Sequence, residues 1–117
     1  MKDRVICFYH NDLDGHCAGA IVKRKFPKAE MHEIKYGYKW NEHVRPHLPK
    51  KKCDIYIVDF SLLKDDMKKL LELGHTVHWI DHHASAIKYL DSIKDELEGI
   101  RDTELAGCEL TWKYLFP

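Results

Sequence analysis

A chain of 117 residues with 44% hydrophobic and 32% charged residues is long enough for one globular domain with a real core. The nineteen Lys and Arg residues balance nineteen Asp and Glu residues, which excludes a protein that coats duplex DNA by charge alone. No apolar run approaches the ~20 residues that cross a bilayer, and none follows the pattern of a secretory signal peptide. We therefore expect a cytoplasmic protein with no membrane partner.

The placement of charges and cysteines further limits the class of protein. Residues 1–52 carry twelve Lys and Arg against six Asp and Glu, whereas residues 53–117 carry seven against thirteen. The basic runs at residues 23–25 and 50–52 are most simply explained as a solvent-exposed face. The more specific alternative is that they contact a polyanion. The four cysteines form no C-x-x-C pair, so a structural zinc site or a disulfide scaffold is not expected.

Apolar and polar patterning predicts alternating strands and helices along the chain. Strands are predicted at residues 5–9, 31–36, 54–60 and 75–80. Helices are predicted at residues 17–26, 61–74, 84–97 and 103–116, with a short helix possible at 41–48. Ser61 and Thr103 are the expected N-caps of two of these helices, and Gly74 is the expected end of one.

This alternation predicts an α/β fold, an open parallel sheet of about four or five strands with helices on both faces. Ligands in such sheets bind beyond the carboxyl ends of the strands. Three predicted strands end in residues that bind metals well: His10, Asp12 and Asp14 after the first, Asp59 after the third, and Asp81, His82 and His83 after the fourth. A polar turn explains the first group alone, but all three groups together predict a divalent metal site.

The three groups carry a family resemblance. His10-x-Asp12-x-Asp14-Gly15, the lone Asp59 of Val58-Asp59-Phe60, and the triplet 81–83 resemble the first three motifs of the DHH phosphoesterase superfamily, in order and in spacing. That superfamily includes RecJ-type exonucleases, nanoRNase-type oligoribonucleases, family II pyrophosphatases and cyclic-dinucleotide phosphodiesterases. The resemblance implies a metal-dependent phosphoesterase with two divalent ions, Mn²⁺ preferred and Mg²⁺ possible.

The resemblance also implies a role for each motif residue. His10 and Asp12 would hold one ion, Asp14 and His82 the other, and Asp59 would bridge the two. His83 would face the substrate phosphate, and Asp81 would orient a neighbouring imidazole. Asp59, His83 and Asp81 are therefore the expected catalytic residues.

The chain departs from the family pattern after the triplet. No convincing match exists for the fourth motif, an aspartate that completes the second metal's ligands. Asp91, Asp95 and Asp102 are candidates by position only. The second, substrate-gripping domain of the family is absent as well, so we expect residues 1–117 to be the N-terminal domain of a longer protein.

The expected substrate is a short oligonucleotide or single-stranded nucleic acid. Lys23 and Arg24 are the expected substrate contacts in the first basic run, and Tyr36, Tyr38 and Trp40 could stack bases. A pyrophosphatase, a cyclic-dinucleotide phosphodiesterase, and a catalytically impaired domain that binds nucleic acid or a partner are the alternatives. The oligomeric state is open, a dimer included.

Overall fold

The sheet of this protein is parallel throughout. The structure, a computed structural model, describes residues 4–117. The strands are β1 (Val5–His10), β2 (Glu30–Ile34), β3 (Asp54–Val58) and β4 (Thr76–Ile80), in the spatial order β2-β1-β3-β4. Beyond β4, Glu98 and Arg101 each add one isolated parallel bridge, to His78 and Asp81. The predicted α/β class with about four or five strands is confirmed.

Both faces of the sheet are buried, which explains why its central strands are almost continuously apolar. Ile6, Phe8, Ile55 and Ile57 point to one face, where their side chains have no solvent exposure. Cys7, Tyr56, Val58 and Ile80 form the core of the other face. Alternate residues of one strand thus serve two separate cores, as the period of two requires.

Four α-helices cover these faces. They are α1 (Leu13–Lys25), α2 (Lys64–Glu72), α3 (Ala84–Tyr89) and α4 (Gly107–Leu115). Helices α1 and α4 contribute to the core around Tyr56, whereas α2 and α3 contribute to the core around Ile57. Gly19 lets α1 lie close to the sheet, because a Cβ at this position would be 2.9 Å from Cγ of Tyr9. Within residues 4–117, no helix is long and apolar enough to cross a membrane.

Two N-cap predictions are wrong. Helix α2 begins at Lys64 rather than at Ser61, and no side chain caps it. Ser61 lies instead between β3 and α2, where it lines a pocket together with Tyr36. Helix α4 begins at Gly107, four residues after Thr103, because the carboxylate of Asp102 accepts a hydrogen bond from the Glu104 N–H and holds this segment as a turn.

Other helix boundaries also differ from the prediction. The predicted helix at 84–97 divides into α3 and a 3₁₀ helix (Asp91–Glu96), and the predicted helix at 41–48 is a π-helical turn (Trp40–Val44) followed by a 3₁₀ turn (Arg45–His47). The break after α3 lets the chain return to the sheet edge, where the Glu98 N–H donates to the Val77 carbonyl. Gly74 follows α2 with a φ of +90°, as a helix-ending glycine does.

Candidate metal centre

Parallel pairing brings the ends of β1, β3 and β4 to one edge of the sheet. Tyr9 pairs with Val58, and Val58 pairs with Ile80. The residues that follow them in sequence are His10, Asp59 and Asp81. The three therefore lie side by side at the carboxyl edge, where open α/β sheets bind their ligands.

Asp12 is the N-cap of α1 as well as a member of this cluster. Its Oδ1 accepts a hydrogen bond of 2.7 Å from the Gly15 N–H, while its Oδ2 lies 3.0 Å from Nδ1 of His10. Burial opposes ionisation of Asp12, but the Gly15 hydrogen bond together with the neighbouring Asp59 and His10 outweighs it, and the pKa lies below its usual range. Gly15 must be a glycine, because a Cβ would lie 2.0 Å from the His10 carbonyl oxygen. One carboxylate oxygen thus shapes the loop while the other faces the site.

Residues 10–14 do not form an extended segment with alternate side chains on one face, because the helix predicted at residues 17–26 begins earlier. Helix α1 begins at Leu13, four residues earlier than predicted, and Asp14 lies in its first turn. The loop between strand and helix is therefore only Asn11 and Asp12. The turn of the helix, rather than strand alternation, directs Asp14 toward the site.

Asp14 joins the start of α1 to the start of α4. Its Oδ2 accepts a hydrogen bond from the Gly107 N–H, and its Oδ1 accepts one from the Cys108 N–H, both at 2.9 Å. Such unpaired N–H groups at a helix N-terminus favour an anion. Burial raises the pKa of Asp14, but the Cys108 and Gly107 hydrogen bonds offset it and the net pKa is lowered. Asp14 is therefore held as a fixed carboxylate.

Asp59 is the central and most buried carboxylate of the cluster. It is 1% exposed and has a φ of +56°, a left-handed conformation that is uncommon outside glycine. Burial, followed by the carboxylates of Asp14 and Asp12, raises the pKa of Asp59 to about 8. Three carboxylates this close together require a shared proton or a cation.

Asp81, His82 and His83 complete the cluster from the end of β4. Asp81 is fully buried, and its Oδ1 accepts a hydrogen bond from the His82 N–H at 2.8 Å and lies 2.7 Å from Nδ1 of His83. The Nε2 of His82 lies 2.9 Å from Oδ1 of Asp59 and 3.5 Å from Oδ2 of Asp14. His82 therefore points to the carboxylates, whereas His83 is held by Asp81.

The cluster contains two groups of metal-ligand atoms that share Asp59. His10, Asp12 and Asp59 form one group, and Asp59, Asp81, His82 and His83 form the other. The ligand atoms within each group lie within 4.8 Å of one another. Asp14 extends the second group through its contact with His82. Carboxylate and imidazole ligands of this kind suit Mn²⁺ or Mg²⁺.

Orphaned polar atoms support a cation at this cluster. Among the described residues, Nδ1 of His10 and Oδ2 of Asp81 are buried and have no hydrogen-bond partner. The His10 nitrogen lies 3.0 Å from Oδ2 of Asp12 but not in hydrogen-bond geometry. Two ligand atoms that approach each other without a hydrogen bond fit a common ion. The donor set therefore fits a divalent metal.

Lys23 and Arg24, the expected substrate contacts of the first basic run, do not lie at this site. They lie in the last turn of α1, about 15 Å along the helix from Asp14 at 1.5 Å per residue. The Nζ of Lys23 donates instead to the Ala29 carbonyl at 2.8 Å. Direct contact between these two residues and a phosphate at the metal centre is ruled out by distance.

The positional candidates for a fourth motif lie outside both ligand groups. The candidates are Asp91, Asp95 and Asp102. Asp91 is exposed, with Nζ of Lys94 at 3.1 Å. Asp95 is exposed, and Asp102 accepts a hydrogen bond in its own turn.

Sequence reasoning missed the contribution of α4. Gly107 and Cys108 hold Asp14 through their backbone N–H groups, and Gly107 also lies against Asp59. Backbone donors leave no side-chain pattern in a sequence. The small residues Ala106 and Gly107, ahead of an apolar helix, are the one available signal.

Comparisons with known proteins agree with this geometry. The family model described as "DHH family, N-terminal domain" matches residues 4–116. A crystal structure of an uncharacterized protein from Helicobacter pylori G27 has the same fold, with a TM-score of 0.77 at 18% identity over 94% of this chain. This chain spans 35% of that protein's length. A search of curated proteins found no match.

The motif residues, the fold and the family match define the class. The chain belongs to the DHH family, as its N-terminal domain. It is thereby a member of a superfamily of metal-dependent phosphoesterases, a family that generally binds divalent metals.

Proposed function

We propose that this domain hydrolyses phosphodiester bonds in short oligonucleotides or single-stranded nucleic acid with two divalent metal ions, Mn²⁺ in preference to Mg²⁺. The observation that carries the proposal is the buried Asp59, which belongs to both groups of ligand atoms. A carboxylate shared between two groups is the arrangement that a bridged pair of metal ions requires.

The distances support a division of the ligands. His10 and Asp12, 3.0 Å apart, would hold one ion together with Asp59. Asp14 and His82, 3.5 Å apart, would hold the other together with Asp59. When bound, such ions supply an activated water molecule near neutral pH and offset charge at the phosphorus.

His83 is the residue that contacts the substrate phosphate in this proposal. Its Nδ1 lies 2.7 Å from the buried Asp81 carboxylate, and its side chain is 38% exposed. Asp81 fixes the orientation of the ring, so that Nε2 is left to donate a hydrogen bond to a phosphate oxygen. Asp81 therefore acts as a positioning residue through His83.

Charge at the site favours a phosphodiester over pyrophosphate. Pyrophosphate carries several negative charges, which protein cations must offset in addition to the metal ions. The basic residues 23–25 end α1, and the basic residues 50–52 precede β3, so both runs lie away from the carboxyl edge. A singly charged phosphodiester needs no such cations.

The test is hydrolysis in Mn²⁺ by the 117-residue chain, compared across oligonucleotides of two to five residues, a cyclic dinucleotide, a phosphomonoester and pyrophosphate. We expect the linear oligonucleotides to be hydrolysed fastest, with no activity after chelation. Asp59→Ala should remove nearly all activity, whereas Asp65→Ala, which changes an exposed carboxylate on α2, is the matched control.

Three results would contradict the proposal. Faster hydrolysis of pyrophosphate or of the cyclic dinucleotide would assign the domain to one of the alternative substrates. Full activity of Asp59→Ala would exclude the shared-ligand arrangement. Tight binding of single strands without hydrolysis in any metal would assign a binding domain instead.

A further inference from the structure

A groove opens beside the metal centre, on the side of His83. It encloses about 670 Å³, which is within the range of pockets that bind small organic molecules. We call it the tyrosine groove, and its principal lining residues are Tyr36, Tyr38, Leu63, His83, Ser85 and Tyr89. Because His83 lines both the groove and the second ligand group, the groove is continuous with the metal centre.

The aromatic rings of the groove are exposed, yet they are held in place. Tyr36 is 53% exposed, and the centroid of its ring lies 4.4 Å from that of Phe60 and 5.3 Å from that of His10. Tyr89 is 48% exposed, and its hydroxyl accepts a hydrogen bond from the Lys64 N–H at 3.1 Å. Rings fixed in this way present flat apolar surface at little cost in conformational entropy.

A third ring stiffens the loop that carries Tyr36. The hydroxyl of Tyr38 donates to Oδ2 of Asp66 at 2.6 Å and accepts from the Leu63 N–H at 2.8 Å. The loop after β2 is thereby tied to the start of α2. The two walls of the groove are consequently parts of one connected structure.

The lining of the groove carries no formal charge apart from what His83 contributes. No Asp, Glu, Lys or Arg is among its lining residues, and Ser61 and Ser85 supply hydroxyl groups. One cation borders the groove, since Nζ of Lys64 lies 5.1 Å from the centroid of the Tyr89 ring. The groove fits an uncharged, flat group that is attached to a phosphate lying at His83.

We propose that the tyrosine groove binds the nucleoside, base and sugar together, on one side of the phosphate that is cleaved. The inference rests on the proposed phosphodiesterase function and adds a recognition site to it. Tyr36 and Tyr89 contact the base by stacking, and the serine hydroxyls supply hydrogen bonds. Stacking on an aromatic ring tolerates every base, so this subsite selects nucleotides without selecting a sequence.

The test compares substrates that differ only in their bases. A thymidine dinucleotide and the same dinucleotide with tetrahydrofuran abasic residues have the same phosphates and backbone. We expect kcat/KM to be at least about tenfold higher for the thymidine dinucleotide, which is the order of one stacked base. The measured quantity is the ratio of the two kcat/KM values, determined with the 117-residue chain in Mn²⁺.

Two pairs of variants locate the effect. Ser85→Trp fills the groove and should bring the ratio close to one, whereas Ser92→Trp places the same side chain at an exposed serine outside the lining and should keep it. Tyr36→Leu removes the ring and should lower the ratio, while Tyr36→Phe keeps the ring and should retain it. A ratio, unlike a rate, is unaffected by a general loss of active protein.

Each outcome decides the inference. Equal kcat/KM values in the unmodified protein would overturn it and leave the phosphodiesterase proposal standing. A ratio that survives Ser85→Trp would overturn the assignment to this groove. If neither dinucleotide is hydrolysed, the phosphodiesterase proposal fails. Calorimetric binding of thymidine 5′-monophosphate in Mg²⁺ then decides: binding weakened by Ser85→Trp but not by Ser92→Trp supports the groove, and equal binding overturns it.

Discussion

Gly107 lies against Asp59 so closely that a side chain at position 107 has no room. A Cβ there would be 2.6 Å from Oδ1 and 2.9 Å from Cγ of Asp59. Asp59 is fully buried between neighbouring carboxylates, so it cannot swing aside as an exposed side chain would. The first residue of α4 therefore determines where the shared carboxylate sits.

Gly107→Ala should displace Asp59 and damage both stability and metal binding. We expect unfolding in urea to require about 1–3 kcal/mol less free energy, the usual cost of overpacking. We expect Mn²⁺ affinity, measured by calorimetry, to fall by about 10–100-fold. Thr103→Ala, at an exposed position before the same helix, is the control. Unchanged Mn²⁺ affinity would show that Asp59 does not depend on this contact.

Asp59→Asn should abolish activity yet stabilise the metal-free protein. The pKa of Asp59 is raised to about 8 in the folded chain, against about 3.9 for an unfolded aspartate. The folded state therefore binds the proton more tightly, and the stability of the unmodified protein falls as the pH rises between these values. An asparagine at this position does not ionise, so the variant does not lose stability in this way as the pH rises.

The advantage of Asp59→Asn should grow between about pH 5 and pH 8 and level off above the folded pKa. Urea unfolding with a chelator present, at several pH values, measures it. Mn²⁺ should reverse the order, because the ion stabilises the carboxylate form alone. A constant difference across this pH range would mean that Asp59 is not protonated in the metal-free protein.

Asp81→Asn should lower kcat by about 10–100-fold, which is typical for loss of a residue that orients a functional histidine. Both contacts go to Oδ1 of Asp81, so an asparagine that keeps its oxygen there must bury its amide nitrogen at the partnerless Oδ2 position, and it loses the negative charge that holds His83. Mn²⁺ affinity should change less than kcat. An equal loss in both quantities would make Asp81 a metal ligand rather than a positioning residue.

Arg24→Ala should leave kcat/KM for a dinucleotide within about twofold, because its charge lies further from the site than the ~10 Å over which salt screens exposed charges. Kinetics at ordinary ionic strength measure this. His83→Ala, the proposed phosphate contact, is the comparison and should reduce activity strongly. A tenfold loss with Arg24→Ala would mean that the substrate extends along α1.

The residues at the strand ends could be predicted because each follows a buried apolar strand. Parallel strands must end at one edge, so His10, Asp59 and Asp81 had to approach one another once β1, β3 and β4 were recognised. The placement of Asp14 could not be predicted in the same way. It depends on where α1 begins, and Asp12 acts as a cap there, which alternation of polar residues does not reveal.

Contacts between residues that are far apart in the sequence also could not be predicted. The last helix was predicted to begin at Thr103, four residues before α4 begins in the structure. A helix that began there would not place its first N–H groups at Asp14. The distance of Lys23 and Arg24 from the metal centre has a related origin. They are close to the first motif in sequence, but a helix of 13 residues carries them to the opposite end of the domain. Residues at the two ends of a helix are near one another in sequence but far apart in space.

The hydrogen bonds between Asp14 and α4 have a consequence for synthesis of the protein. The two bonds span 93 and 94 positions of the sequence, so a ligand near the start of α1 is held by a helix that is synthesised much later. A nascent chain that has released only β1 and α1 presents His10, Asp12 and Asp14 without that lock. The orientation of Asp14 is therefore fixed only after residue 108 has joined the fold.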